Sequence, residues 1–169
     1  MAELTAIAYA DEVTAARAAR EAQRLREQLA SQSDAIALLV RNKDGVFRST
    51  TNHEPLDGHR AAYGMLWEPL FALLFFVPVL GMTVGAALGG LIGSLERAGI
   101  DKGFQKRVRE LVQPGTSALF LVLDEPRPRA LRALDKYGGT LLKTPLGDDT
   151  VARLQQELHG AARRLTPTG

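Results

Sequence analysis

The sequence predicts an α+β fold of the ferredoxin-like type, in which two strand–helix–strand units share one sheet. Short apolar stretches of strand length alternate with segments of helical periodicity. The order strand, helix, strand occurs twice, over residues 4–40 and again over residues 116–144. Between the two units lies a glycine-rich run without charges, residues 69–95, which predicts an inserted helical hairpin. A C-terminal amphipathic helix completes the predicted fold.

The first unit begins with a short strand over residues 4–9, and Asp11 is a suitable N-cap for the helix that follows. Small and apolar residues recur over residues 12–30 at alternating spacings of three and four, which predicts an alanine-rich face that packs closely on a sheet. Two further strands are predicted around an Asp-Gly turn, at residues 35–40 and 46–51. The recurring helix residues are Ala15, Ala18, Ala22, Leu25 and Leu29.

The second unit follows the same pattern. Pro114-Gly115 ends the helix that precedes this unit. A proline pair starts the helix within the unit, and Gly138-Gly139 ends that helix. The predicted elements are a helix over 101–113, a strand over 116–123, a helix beginning near Pro126 and Pro128, a strand over 140–144, and a final amphipathic helix over 151–165.

The uncharged run is the most distinctive feature of the chain. It holds no Asp, Glu, Lys or Arg, although these make up 24% of all residues. A helix crosses a bilayer with about 20 apolar residues, so the run is long enough for membrane contact. Pro78 would kink a helix within it. The predicted packing residues are bulky side chains in the first part and glycines at a spacing of four in the second: Trp67, Phe71, Phe75, Phe76, Gly81, Gly85, Gly89 and Gly93.

Two shapes compete for this run, a single tilted span and a helical hairpin. If both flanks contribute to one sheet, the two ends of the run must lie on the same side of any membrane, which favours the hairpin. Each limb would be about 15 to 18 residues, or roughly 22 to 27 Å of helix, somewhat less than the hydrocarbon core of about 30 Å. The alternative is a hairpin buried in a soluble oligomer, which agrees with a mean hydropathy close to zero.

Composition bounds the function. A chain of 169 residues is one domain, or one domain with an insertion, and the predicted divisions are residues 1–60, 61–97 and 98–169. The absence of cysteine excludes disulfides, thiolate catalysis and cysteine metal sites. A net charge of +2 does not favour nucleic acid as a partner. The acidic N-terminus lacks an apolar core, so we expect no signal peptide and a folded domain on the cytoplasmic side of a membrane.

Cations flank the run on both sides and could contact anionic lipid head groups, each contributing about 1 kcal/mol. Their position also agrees with the tendency of positive charge to stay on the cytoplasmic side. The alternative is an ordinary solvated helix face. The candidate head-group residues are Arg60, Arg97, Lys102, Lys106 and Arg107.

The sequence contains few candidates for chemistry. Two histidines and two carboxylates, His53, Glu54, Asp57 and His59, cluster within seven residues. They match no helical metal-ligand spacing, and a solvated loop explains them more simply, so we predict neither a metal nor a cofactor. No nucleophile–base pair or phosphate-binding loop is visible, and we therefore predict that the chain is not an enzyme.

Five segments of the chain carry a resemblance to other proteins: AIAYADEVTA, GAALGGLIGSL, the GID step at residues 99–101, LVQPGTSALFLVL and GGTLLKTPL. They resemble a family of uncharacterised bacterial membrane proteins, defined only as a domain of unknown function. The resemblance covers nearly the whole chain and implies membrane association and a glycine-rich insertion. It implies no catalytic residues.

These observations lead to three hypotheses. The first is a non-enzymatic, membrane-associated scaffold protein that self-assembles through the glycine-rich hairpin, its partners being lipid and further copies of itself. The second is a soluble homo-oligomer whose hairpins form a shared apolar core. The third is a sensor or enzyme that uses an open sheet face, for which the strands offer little besides Arg48 and Lys143.

Overall fold

In a computed structural model of the chain, one antiparallel sheet joins the two predicted halves. The structure describes residues 2–25, 36–51, 64–75, 99–123, 128–146, 149–150, 152–153 and 156. The strand order is β3-β2-β4-β1-β5. The five strands are β1 (Ala2–Tyr9), β2 (Ile36–Arg41), β3 (Phe47–Thr51), β4 (Thr116–Leu123) and β5 (Thr140–Leu146).

The two halves are interleaved within this sheet. β4 from the second half lies between β1 and β2 of the first half, and β1 lies between β4 and β5. Each of these pairings is antiparallel, so β1 and β2 run parallel to each other, as do β4 and β5. The prediction that both flanks of the uncharged run contribute to one α+β body is therefore confirmed.

Four helices and one 3₁₀ turn accompany the sheet in the described part of the chain. α1 connects β1 to β2, and α4 with the 3₁₀ turn connects β4 to β5, as the repeated strand–helix–strand pattern predicts. In the chain, α2 precedes the second part of the uncharged run and α3 follows it. The bounds are α1 (Thr14–Arg24), α2 (Gly64–Phe75), α3 (Lys102–Leu111), α4 (Pro128–Ala133) and the 3₁₀ turn Asp135–Tyr137.

One face of the sheet is covered by α1 and α4. The alanines at positions 15, 18 and 22 are fully buried, and they form one cluster with the leucines of β4 and α4. Small side chains let the helix approach the sheet closely, so the predicted alanine face is confirmed. Asp11 accepts hydrogen bonds from the backbone N–H groups of Val13 and Thr14 and from the Thr14 hydroxyl, which together lower the pKa of its exposed carboxyl.

The opposite face is covered by α2 and α3. Trp67, Leu70 and Leu74 of α2 are at most 1% exposed and belong to one core cluster with Phe104 and Phe120. In the part of the chain that the structure describes, both faces of the sheet thus carry helices. The sensor-or-enzyme hypothesis expected one open face, and these residues do not provide it.

Most element boundaries agree with the sequence, and the differences have physical reasons. β5 continues through Pro145, which a strand at the edge of a sheet tolerates because its outer side needs no N–H donor. Residues 150, 152–153 and 156 are helical and mark the start of the predicted C-terminal helix. Among the described residues, none of the helices has the length and apolar character that a membrane span requires.

Candidate functional site

The predicted packing residues fall into two groups. Trp67 and Phe71 lie inside the core between α2 and the sheet, and Phe75 is partly buried at the end of α2. The rings of Trp67 and Phe71 lie 5.8 Å apart, and the ring of Phe71 meets that of Phe120 edge-on at 4.9 Å. These side chains therefore contribute to the sheet core of their own chain.

The remaining candidates lie outside the described residues. They are the packing residues Phe76, Gly81, Gly85, Gly89 and Gly93, the cations Arg60 and Arg97, and the polar cluster His53, Glu54, Asp57 and His59. Their predicted roles stay predictions. What the structure does describe is how the body of the protein holds the two ends of the segment between α2 and residue 99, and these two attachments form the candidate site.

The first attachment, where the chain leaves α2, is a hydrogen bond between α3 and α2. Arg109 Nε donates to the backbone carbonyl oxygen of Leu74 at 2.6 Å. In a continuing helix this carbonyl would accept from the N–H four residues later, but that residue is Pro78, which has no N–H. The Arg109 guanidinium thus replaces the backbone N–H donor that Pro78 lacks.

Burial shapes this contact. The Arg109 side chain is partly buried, and desolvation lowers the pKa of its guanidinium below the ordinary value. A cation near the carbonyl end of a helix also interacts favourably with the helix dipole. Next to it, the ring of Phe75 lies 4.8 Å from that of Phe47 on β3. The chain therefore leaves the body beside the outer strand β3.

The returning attachment is at the start of α3. Asp101 donates its backbone N–H to Thr144 Oγ1 of β5 at 3.3 Å, and its carboxylate caps α3 by accepting from the N–H of Phe104 at 2.9 Å. Gln105 Nε2 donates to the carbonyl of Ile100, a residue that is 1% exposed. Gly99 has a φ of +96°, a backbone conformation that favours glycine. The chain is thus held firmly where it rejoins the body.

Both attachments lie on the same face of the sheet. The helix α3 connects them, because Asp101 begins it and Arg109 lies near its end. Eight residues of helix span about 12 Å, and the sheet is about 19 Å wide from β3 to β5, so the chain leaves near one edge and returns near the other on the same side of the molecule. The segment 76–98 therefore has both of its ends on one face of the sheet.

The outer side of α3 carries the described cations. Lys102, Lys106 and Arg107 are exposed, whereas Phe104 and Val108 point into the core. The exposed side chains of Asp101 and Glu110 lie at the two ends of the same helix. This surface has a small excess of positive charge next to the point where the chain returns, and it can attract anions weakly at most.

In the described part of the chain, three or more potential metal ligands do not come together. Buried polar atoms without a hydrogen-bond partner are Glu3 Oε1, Thr5 Oγ1 and Tyr9 Oη, all on one side of β1. Desolvation, with smaller contributions from Tyr137 and Asp135, raises the pKa of Tyr9 to about 12, so its hydroxyl stays protonated.

Sequence reasoning did not single out Arg109. The signal that could have found it is Pro78, since a proline four residues after Leu74 predicts a carbonyl in need of another donor. What the sequence could not show is which distant donor reaches that carbonyl. That depends on α3 packing beside α2, across 35 residues of chain.

This pairing leads to a stability prediction. Arg109→Met should reduce the free energy of unfolding by about 1.5–3 kcal/mol, the usual range for a hydrogen bond to a charged group. In a Pro78→Ala background the loss should be smaller, because the alanine can offer its own backbone N–H to the Leu74 carbonyl. Urea unfolding of the four proteins in this double-mutant cycle measures the difference. Equal losses in both backgrounds would contradict the proposed replacement of the missing donor.

The comparisons with known proteins place the chain in a family. A family model described as a protein of unknown function, DUF1269, matches residues 61–159, which is more than half of the 169 residues. The match starts at α2 and leaves out β1, β2 and β3, so it covers less than the predicted resemblance. Neither the curated proteins nor the solved structures give a significant match. By the extent of the family match, the chain belongs to the DUF1269 family of proteins of unknown function.

Proposed function

We propose that this protein is a non-enzymatic scaffold that binds a membrane surface and self-associates through residues 76–95. The observation that carries the proposal is the pair of attachments, which hold both ends of segment 76–98, uncharged as far as residue 95, on one face of a closed α/β body. A segment held in this way can reach a lipid surface without separating the two halves of the sheet.

The length of the segment limits how deep it can reach. The first part of the uncharged run, in α2, is used for the core, which leaves residues 76–98 between the attachments. Divided into two helical limbs, these provide about 11 residues each, or roughly 17 Å. The hydrocarbon core of a bilayer is about 30 Å thick. We therefore propose insertion into one leaflet, with the folded body on the cytoplasmic side, and not a complete span.

Electrostatics support binding to an anionic surface. The exposed Lys102, Lys106 and Arg107 lie directly after the returning attachment, and Arg97 immediately precedes it in sequence. Each cation close to an anionic leaflet contributes about 1 kcal/mol, less whatever the neighbouring acids Glu96, Asp101 and Glu110 cancel. The cations therefore assist binding, while the apolar segment supplies most of it.

The finer points of the fold and family are part of this proposal. The strand order and the two interleaved strand–helix–strand units agree with a ferredoxin-like sheet to which β3 adds an outer strand. The resemblance noted in the sequence supports a bacterial membrane protein with a glycine zipper over Gly81, Gly85, Gly89 and Gly93, in which close helix packing joins copies of the chain.

One observation favours the soluble alternative. Trp67, Leu70, Phe71, Leu73 and Leu74 already bury their side chains within the chain, so less apolar surface is left for lipid than the sequence suggested. The remaining segment is short enough to be covered by the same segment of neighbouring copies. The second candidate is thus a detergent-independent homo-oligomer with a shared apolar core.

Vesicle flotation separates the two candidates. The wild-type chain should rise with vesicles of phosphatidylcholine and phosphatidylglycerol, and Val84→Asp should remain at the bottom of the gradient. A charge in the middle of an inserted segment costs about 2.5–3.5 kcal/mol, which lowers the partition about 100-fold. Glu110→Gln, a change on the exposed side of α3, serves as the control and should float. A wild-type particle that stays at the bottom, detergent-free and uniform in mass, would support the soluble candidate instead.

A further inference from the structure

The two outer strands of the sheet, β3 and β5, differ in how they are protected against pairing with another chain. β5 carries the exposed Lys143 and has Pro145 within the strand, and both features discourage edge pairing. β3 contains neither lysine nor proline, and its central side chains, Arg48, Ser49 and Thr50, are exposed. Among the described strands, β3 is the edge that can accept a partner.

The hairpin between β2 and β3 shows which backbone groups face this edge. Asn42 donates its N–H to the carbonyl of Val46 at 3.0 Å, so this pair is hydrogen-bonded. Hydrogen-bonded and non-bonded pairs alternate along an antiparallel ladder, so the backbone N–H and C=O of Arg48 point toward β2. The residues whose N–H and C=O point away from β2 are therefore Phe47, Ser49 and Thr51.

We propose that two copies of this chain pair along β3, antiparallel, about a two-fold axis at Ser49. The proposal rests on the proposed self-association and adds β3 to residues 76–95 as a second surface, without which the copies separate in solution. In this register Ser49 faces the partner's Ser49, and Phe47 faces the partner's Thr51. Each of these pairs exchanges two backbone hydrogen bonds, and the two sheets become one.

The charges of β3 permit this register. Arg48 faces the partner's Thr50, so the two arginines are diagonal neighbours and not directly opposed. Like charges directly opposite each other would destabilise the pair, whereas a diagonal separation of about 7–8 Å next to solvent costs little. The strand is thus compatible with its own copy.

The position of the apolar segment agrees with the same interface. The Phe75 ring, at the end of α2, lies 4.8 Å from the Phe47 ring on β3, so the segment 76–98 starts beside this edge. A two-fold axis perpendicular to the sheet keeps α2 of both copies on the same face. Pairing through β3 therefore brings two uncharged segments together on one side, where both can reach the same lipid surface.

A proline at the centre of the edge tests the proposal. Ser49→Pro removes an outward N–H while leaving the ladder between β2 and β3 intact, since the Ser49 N–H does not take part in it. By sedimentation equilibrium, the wild-type chain and Ser49→Ala should have the mass of two copies, and Ser49→Pro should have half of it with an unchanged circular dichroism spectrum. A wild-type mass of one copy, or a Ser49→Pro mass equal to wild type, would overturn the proposal.

Cross-linking provides a second test that does not depend on how well the proline variant folds. The chain has no cysteine, so a single introduced one is unique. Facing residues of a hydrogen-bonded pair have Cα atoms about 5.5 Å apart, within the range of a disulfide. Ser49→Cys should form a covalent dimer on oxidation, and Leu141→Cys, exposed on β5, should not. The reverse result would place the interface at the other edge.

The failure of this inference can be told from failure of the proposed function. Vesicle flotation reports membrane binding whatever the mass of the particle, so a Ser49→Pro monomer that still floats supports the β3 interface and the proposed membrane binding, and it shows that residues 76–95 alone do not hold the copies together in solution. If Gly85→Leu/Gly89→Leu lowers the mass and Ser49→Pro does not, self-association proceeds through the glycine stripe and the β3 proposal is overturned.

Discussion

Replacing Gly139 with alanine should destabilise this fold by about 3 kcal/mol, from strain in the backbone and from overpacking. Gly139 has a φ of +94°, where an alanine is strained. A Cβ at this position would lie 2.8 Å from Tyr9 Cε1 and 2.9 Å from both the Ala8 carbonyl oxygen and Ile7 Cγ2. Contacts this short require the neighbouring atoms to move.

The neighbouring strand has little freedom to do so. Ala8 lies between Ala118 of β4 on one side and Thr140 of β5 on the other, so a shift of its backbone moves it against both neighbouring strands. The Tyr9 ring is 3% exposed and is also held by packing. The substitution therefore acts on the centre of the sheet, although it is made in a turn.

The adjacent glycine is the matched control. Gly138 also has a positive φ, +74°, but a Cβ there would meet nothing within 4 Å. Gly138→Ala should cost only the backbone strain, about 1–3 kcal/mol, because its ψ of −145° lies in a region that is essentially restricted to glycine. Urea unfolding with an unchanged m-value measures both variants. Equal losses would show that the contacts with β1 relax easily and that the backbone conformation alone matters.

This pair of glycines shows what the sequence could and could not predict. Gly138-Gly139 was predicted to end a helix, and a helical segment does end there, because glycine readily adopts the required φ. Which glycine also needs to lack a side chain depends on β1, which is about 130 residues earlier in the chain. A local pattern contains no information on that contact.

The same distinction applies to the two faces of the sheet. The alanines of α1 predicted close packing because their spacing and small size are local properties, and the structure confirms it. α2 is apolar on nearly all sides, and such a helix is buried in something. Its sequence does not say whether that is lipid, another copy or the chain's own sheet. The predicted hairpin included the residues of α2, whereas the structure places the side chains of Trp67 and Phe71 against Phe120 of the sheet.

The family match raises a related point about what folds together. Within residues 61–159 the described strands are β4 and β5, and these do not pair with each other, because β1 lies between them. The sheet therefore needs strands from outside the matched region. Sequence similarity identifies the segment that relatives share, while the strand order shows that this segment depends on the N-terminal part of the chain for its hydrogen bonds.

The role of Trp67 provides the second large prediction. The side chain is 1% exposed and packs against Phe71 and Phe120, so Trp67→Ala should reduce the free energy of unfolding by about 3–5 kcal/mol. Trp67→Phe retains most of the volume and an aromatic ring, and it should cost less than half as much. Chemical unfolding followed by circular dichroism measures both, since the variants lack the only tryptophan of the chain.

The fluorescence of that single tryptophan also distinguishes a position in the core of the protein from one at a membrane interface. If α2 stays on the sheet, Trp67 emission should be blue-shifted in the free protein and should not change when the protein binds vesicles. Brominated lipids, which quench nearby indole rings, should leave it unaffected. Quenching on binding would mean that α2 leaves the sheet and enters the lipid, so that Arg109 would release the Leu74 carbonyl. In that case the inserted segment would extend from residue 64, and its two limbs would be about 17 residues or roughly 26 Å each, close to the thickness of the hydrocarbon core.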